Sequence, residues 1–376
     1  MRIAVNTRLL LPGRLDGIGW FAYETLRRIV AAHPEHEFLF LFDRAPDSRF
    51  VLGENVRAVT LWPQARHPLL WWLYFEWSVP YILNKYKADL FVSPESLISL
   101  RAKVPTLAVV HDLNYEHAPD FLRPSHQRYM RRFSPRHARR AERIATVSEF
   151  SKEDIAATYG IDRARIDVVY DGSHATYRPL TEAERQGVRD RYSDGQPYFI
   201  FVGTISRRKN LTNTLLAFDR LKEEHPDDTS RLLVVGHRYW WQDELKEAYD
   251  HLRHRDAVRL LGRAEAAELA LLLGGATALV YCSYFEGFGI PILEAFQAEV
   301  PVVTSNVTSM PEVAGEAALL VDPTDVGAMA AALHRLSSEP ALRATLVARG
   351  RERRQRFSWD RTATLLWESI EKTLKP

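Results

Sequence analysis

The sequence predicts an α/β protein built from two parallel sheets, each covered by helices. Three observations carry this. Short apolar runs alternate with stretches of helical periodicity along almost the whole chain. The alternation stops in a polar, turn-rich stretch and then restarts. The 376 residues suit two domains, since one domain runs to roughly 100–200 residues.

In the first series, residues 2–6 read as a buried strand and 18–32 as a helix. Strands follow at 38–42, 56–60, 90–92, 106–110, 143–147 and 166–169, with helices at 123–141 and 151–159. The second series opens with a strand at 198–203 and a helix at 210–225. Strands at 231–235, 258–260, 278–282, 300–304 and 318–321 then alternate with helices at 244–253, 264–274, 291–298 and 326–337. Between the series, residues 171–197 contain Gly172, Pro179, Gly195 and Pro197, so a hinge is expected near 172–180. Two units of similar size with a cleft between them are the expectation.

Composition excludes several classes. Apolar residues make up 46% and charged residues 26%, ample for a core. A net charge of +2 gives no global attraction to nucleic acid. The single cysteine, Cys282, forms no intrachain disulfide and fits a reducing compartment. The first apolar stretch is broken by Asn6, Thr7 and Arg8, unlike a secretory signal. The most apolar stretch, residues 69–75, is far short of the about 20 residues that a bilayer span needs. A soluble or peripheral cytoplasmic protein is expected, if peripheral then at the inner face of the plasma membrane.

Gly17-Ile-Gly19-Trp-Phe-Ala22 matches a dinucleotide fingerprint, but nine residues from Arg8 to Asp16 separate it from the strand. A dinucleotide-binding turn passes almost directly from strand to helix, so NAD binding is not expected. Two readings stay open: a permissive loop before a helix, or a loop whose amides meet a phosphate or sugar.

The second half is sharper. Arg207, Arg208 and Lys209 sit between a strand ending at Gly203 and a helix beginning near Asn210. Cations at a strand's C-terminal end suit a diphosphate; a solvated basic turn is the bland alternative. Further on, Glu286-Gly-Phe-Gly-Ile-Pro-Ile-Leu-Glu294 follows another strand. Gly287 and Gly289 let backbone approach a ligand. Glu294 in the next helix is suited to accept two hydrogen bonds from a ribose diol. Ser309 and Glu312 are read as caps of a helix starting near Pro311.

Together these residues resemble the retaining glycosyltransferases of family 4, which have the GT-B fold. The likeness runs through FEGFGIPILEA, VGTISRRKN, VVHDL, GIGWFAYETL, ATVSEFSKEDI, VVYDGS and FSWDRTA, nearly the whole chain. It implies two Rossmann-like domains: 1–172 with 358–376 for the acceptor, and 173–357 for the nucleotide-sugar donor. It implies that Arg208 and Lys209 bind the donor diphosphate and Glu294 the ribose. Glu286, followed by Gly287, Phe288 and Gly289, would lie beside the transferred sugar. His111 would lie near that sugar too, and Gly17 and Gly19 at the reaction centre. From its position alone, His111 reads as a hydrogen-bonded core histidine. One departure is Thr204, where many members carry an arginine; Arg207 or Arg208 is the replacement charge.

No Asp-x-Asp and no metal-spaced His/Cys cluster occurs, so metal-independent transfer is expected, with no cofactor. VGTISRRKN and VVHDL resemble the mannosyltransferase branch that builds surface polysaccharides, which makes GDP-mannose the first-choice donor, with a glycan, glycolipid or lipid-linked acceptor. The alternatives are a UDP-sugar donor, a nucleotide-sugar epimerase or a non-catalytic sugar-nucleotide-binding protein. Finally, Arg123, Arg128, Arg131, Arg132, Arg136, Arg139, Arg140 and Arg143 crowd one segment with Glu142 its only acid. With Trp71, Trp72 and Trp77 it offers an anionic-membrane surface; a solvated basic face is the alternative. Pro135 is expected to kink or split that helix.

Overall fold

A computed structural model describes residues 1–13, 15–118, 124–237 and 243–375. The chain divides into two compact units, Met1–Asp171 with Trp359–Pro376, and Gly172–Ser358.

The first unit holds seven strands: β1 Arg2–Asn6, β2 Glu37–Phe42, β3 Val56–Thr60, β4 Leu90–Ser93, β5 Thr106–Val109, β6 Arg143–Thr146 and β7 Ile166–Val168. They pair in parallel in the order β3-β2-β1-β4-β5-β6-β7. The order reverses between β1 and β4, and ligands of open α/β sheets bind at such a reversal, beyond the strand C-terminal ends. β2, EFLFLF, is buried at five consecutive positions, as a strand covered on both faces must be. The Gly17–Ala32 helix is started by Asp16, whose carboxylate accepts from Gly19 N–H. The Glu149–Tyr159 helix is started by Ser148 and stopped by left-handed Gly160. The Trp359–Leu374 helix docks here: Thr362 donates to the Tyr170 carbonyl at 2.8 Å, and Lys372 meets Asp167 at 3.1 Å.

The second unit holds six strands: β8 Tyr198–Val202, β9 Arg231–Val235, β10 Val258–Gly262, β11 Ala278–Tyr281, β12 Val302–Ser305 and β13 Leu319–Val321. All are parallel, in the order β10-β9-β8-β11-β12-β13. The reversal lies between β8 and β11. Gly203 (φ +149°) turns sharply as it leaves β8, and its carbonyl oxygen lies 1.8 Å from where a Cβ on Gly236 would stand. Both ends of this close approach therefore require glycine.

The structure adds elements that were not expected and changes one expectation. Beyond the hinge expected near 172–180, Glu182–Tyr192 is a helix with a full capping box between Thr181 and Glu184. Its exposure, with Val188 its one buried residue, hid it from a periodicity reading. The apolar stretch near residue 70 is helical, running through Pro68–Leu73, a π turn at Tyr74–Ser78, and Val79–Lys85. Pro135 does not split its helix, which is continuous over Pro124–Arg140. Burial of Tyr129, Ser134, His137 and Ala138 on either side carries the helix across the missing N–H. Arg123 lies outside the described residues.

Candidate active site

In the second unit, the turn after β8 and the loop after β11 meet at the reversal point. Ser206 leads into a single 3₁₀ turn, Arg207–Lys209, which ends on left-handed Asn210 (φ 56°). Asn210 is buried, and its Nδ2 donates to the Cys282 carbonyl at 2.9 Å and the Pro323 carbonyl at 2.7 Å. Asn210 thus pins the basic turn to the acid-bearing loop. Tyr284 N–H adds a 2.9 Å bond to the Arg208 carbonyl.

Glu286 collects the charges. Its Oε2 lies 2.5 Å from Arg208 Nη1 and its Oε1 2.7 Å from Lys209 Nζ. Lys209 Nζ also donates to Tyr281 Oη at 2.6 Å, and Arg208 Nη1 to the Phe285 carbonyl at 2.8 Å. Glu286 is only 6% exposed. Burial opposes its charge, but Arg208 and Lys209 outweigh burial and hold the carboxyl at about 2. Arg207 is exposed and lies outside this ion-pair cluster. Of the two candidates for the charge missing at Thr204, Arg208 is the one turned into the site.

The loop itself is braced from β12's far end. Ser309 Oγ lies 2.9 Å from both the Glu286 and Phe288 carbonyls. Thr308 Oγ1 accepts from Glu286 N–H at 3.3 Å. Ser309 makes no side-chain cap to the Met310–Ala314 helix, so the expected capping role is replaced by one in the acid loop. Phe288 is buried, edge-on to Phe357 at 5.6 Å. Gly289 has φ +107° and immediately precedes the Ile290–Gln297 helix. Gly287, between Glu286 and Phe288, lies in the same braced segment.

Glu294 sits in that helix, buried, hydrogen-bonded to Tyr177. Burial pushes its carboxyl up to about 7, against the pull of Tyr177 and Lys209. Tyr177, Tyr281, Ser309 and Asn210 were not legible as site residues. Their contacts span long sequence separations, and only the fold brings them in.

In the first unit, Gly17 and Gly19 are helical, and neither has a positive φ. The open-loop expectation is corrected: Asp16 already takes the Gly19 amide, at 3.0 Å. A Cβ on Gly19 would stand 3.2 Å from the Leu9 carbonyl, whereas Gly17 faces open space. His111 follows β5. Its Nε2 lies 2.9 Å from the Pro94 carbonyl, so that nitrogen carries the proton and Nδ1 is the acceptor. Its ring meets Phe21 edge-on at 4.9 Å, and burial lowers its pKa, leaving a neutral imidazole. Asp112 Oδ1 accepts from Asn114 N–H at 3.0 Å. At the β1/β4 reversal, Asn6 donates to Glu95 at 2.6 Å, and buried Glu95 pairs with Arg8. This network carries no sequence motif.

The arginine run resolves into two sets. Arg128, Arg131, Arg132, Arg136 and Arg139 are exposed. Arg140 bonds Glu142 at 2.9 Å and the backbone near residue 102, and Arg143 binds Asp167 through two bonds of 2.8 and 2.9 Å. Among the described residues, His33, Glu35 and His36 are the one His/Cys/Asp/Glu group close enough to hold a metal. They follow the Gly17–Ala32 helix and lead into the N-terminal end of β2, the opposite end of the strand from the C-terminal side. No helix among the described residues is long and apolar enough to cross a membrane.

Comparison with known proteins accounts for both units. Residues 15–175 match the family described as Glycosyltransferase Family 4, and residues 185–353 match Glycosyl transferases group 1. The chain is 31% identical over 370 residues to O-antigen chain mannosyltransferase B of Escherichia coli, covering 93% of this chain and 94% of that one. It is 29% identical over 276 residues to O-antigen chain mannosyltransferase RfbU of Salmonella typhimurium, covering 73% and 72%. In structure it resembles sucrose-phosphate synthase from Thermosynechococcus elongatus, with a TM-score of 0.78 at 19% identity over 99% of this chain and 98% of that one. The fold is GT-B, and the chain belongs to glycosyltransferase family 4.

Proposed function

We propose that the protein moves mannose from GDP-mannose to a glycan, glycolipid or lipid-linked acceptor of surface-polysaccharide assembly, retaining the anomeric configuration and using no metal. The observation that carries the reading is the Arg208–Glu286–Lys209 cluster at the β8/β11 reversal. Two cations at a strand end have the geometry to neutralise a leaving diphosphate. Mannose is supported by the printed activities of the two O-antigen relatives.

In this mechanism the anomeric C–O bond to the diphosphate breaks as Arg208 and Lys209 take up the developing charge. The acceptor hydroxyl attacks the same face of the oxocarbenium-like carbon, and its proton passes to the departing phosphate oxygen. Glu286 is displaced from the cations by the diphosphate and turns to the sugar hydroxyls. Glu294 receives the ribose diol, and the amides of Gly287, Phe288 and Gly289 approach the donor. Neutral His111 offers Nδ1 as an acceptor to a sugar hydroxyl, and Gly17, which faces open space, lets substrate approach the first unit's backbone. The carboxylates position groups and do not share acid/base work as paired glycosidase carboxylates do.

A thermal-shift panel of GDP-, UDP-, ADP- and dTDP-sugars tests the donor. GDP-mannose is expected to raise the unfolding midpoint most, by mass action. A larger shift with a UDP-sugar would replace the donor. Free sugar or an unsaturated product without acceptor would favour the epimerase reading.

A further inference from the structure

The turn that joins the Gly17–Ala32 helix to β2 reads His33-Pro-Glu-His36. One side chain holds its backbone from beneath: Asn55 Nδ2 lies 3.2 Å from the carbonyls of Val30, His33 and His36. His36 N–H also donates to the His33 carbonyl at 3.2 Å, which closes the turn. Two histidines three residues apart are therefore fixed around a tight reversal, with Glu35 between them.

The rings are held as well. Trp367, buried in the Trp359–Leu374 helix, stacks on His33 with ring centroids 3.5 Å apart. It lies 5.4 Å from the His36 ring at an interplanar angle of 23°. The two imidazoles are parallel to within 6°, with centroids 6.0 Å apart. Packing against the indole limits how either ring can turn.

Three ligand atoms converge in this turn. His33 Nδ1 lies 3.5 Å and His36 Nε2 3.4 Å from the same oxygen, Glu35 Oε1. All three atoms lie within 4.8 Å of one another. The two nitrogen–oxygen separations exceed the usual hydrogen-bond range of about 2.7–3.2 Å. They match instead the edge of a coordination tetrahedron, since ligands about 2.0–2.1 Å from a zinc ion stand about 3.3–3.4 Å apart. His36 Nδ1, the ring's other nitrogen, lies 3.4 Å from the Met1 amino group. Both rings are half-buried, whereas Glu35 is exposed, so an ion can reach the site from solvent.

We propose that His33, Glu35 and His36 bind one divalent transition-metal ion, zinc or its neighbours nickel and copper, with water completing the shell. Imidazole nitrogens select this class over magnesium and calcium, which take oxygen ligands. The site is structural. The turn leads into the N-terminal end of β2, away from the strand C-terminal ends, so the ion takes no part in sugar transfer. The site stands independently of which sugar is moved. By fixing both imidazoles, the ion fixes the platform on which Trp367 rests, and so strengthens the docking of the last helix within the first unit.

Calorimetric titration of Zn²⁺ into the intact chain, first stripped with a chelator, tests this. One ion per chain is expected, with a raised unfolding midpoint at saturation. Mg²⁺ is expected to give neither. Glu35→Gln, at an exposed position, is expected to keep the metal-free unfolding midpoint and to bind Zn²⁺ at least tenfold more weakly. His36→Ala is expected to abolish the site. One equivalent of Cu²⁺ is expected to quench part of the wild-type tryptophan emission, and Trp367→Phe is expected to lose most of that quench. A wild-type chain that binds no Zn²⁺ overturns the proposal. So does a folded Glu35→Gln or His36→Ala chain that binds Zn²⁺ as tightly as wild type, or a Cu²⁺ quench that Trp367→Phe leaves unchanged.

Discussion

Glu286 and Lys209 form a buried ion pair, Oε1 to Nζ at 2.7 Å, that joins the loop after β11 to the turn after β8. Under the proposed function, the carboxylate occupies the cations that the donor diphosphate would take, and ligand entry would exchange one anion for another. Glu286→Gln keeps the shape and removes the competitor. Nucleoside diphosphate affinity is expected to hold or rise, while turnover falls by about 10²–10³-fold. Titration and turnover on one preparation check it. Loss of diphosphate binding in this variant would contradict the exchange.

If Glu294 holds the ribose as proposed, it gives the site a pH dependence. Burial raises its carboxyl to about 7 from an ordinary 4.5. The folded state thus holds the proton more tightly than the unfolded one. The sign follows: stability drops as pH rises from 4.5 through 7, where ionisation of the buried group is paid for. A ribose diol donates, so binding favours the ionised form. Nucleotide affinity is expected to rise about tenfold from pH 6 to 8. Glu286, held at about 2, stays ionised throughout and adds no slope. A Glu294→Gln chain is expected to bind more weakly with a flat profile. An unchanged slope in that variant would remove Glu294 from the ribose site.

Ser309→Ala removes the hydroxyl that bridges the Glu286 and Phe288 carbonyls. Leaving buried carbonyls short of a donor costs about 1–3 kcal/mol. A lower unfolding midpoint together with a higher donor KM is expected. A stability loss with unchanged KM would make the serine purely structural.

The glycines divide by steric demand. Gly236→Ala is expected to destabilise the second unit severely, because no rotamer relieves a Cβ 1.8 Å from the Gly203 oxygen. Gly289→Ala, at φ +107°, is expected to cost about 1–3 kcal/mol. Gly17→Ala faces open space inside a helix and is expected to leave stability unchanged or gain up to about 1 kcal/mol. Thermal unfolding compares the three. Activity loss in a fully stable Gly17→Ala chain would support substrate approach at that residue.

Much of the framework was legible because its signals are local. β2 is a continuous apolar run, and Pro291 in the first turn of the Ile290–Gln297 helix marks where the acid loop ends. The basic turn and both glutamates stood out for the same reason. The Glu182–Tyr192 helix escapes a periodicity reading because solvent covers most of it, although its Thr181–Glu184 box is present in the sequence. Ser309 was misread because its position before a helix mimics a cap. Tyr177 and the Asn6–Glu95–Arg8 network depend on residues far apart in the chain, and no spacing encodes those contacts.

The central claim is that Arg208 and Lys209 hold the donor diphosphate. Calorimetric titration of GDP and of guanosine into wild type and Lys209→Ala tests it most directly. A charge-assisted bond lost from the diphosphate weakens binding about 10–100-fold. GDP is expected to lose that much affinity in the variant, while guanosine loses none. Equal GDP affinity in the two chains would contradict the account.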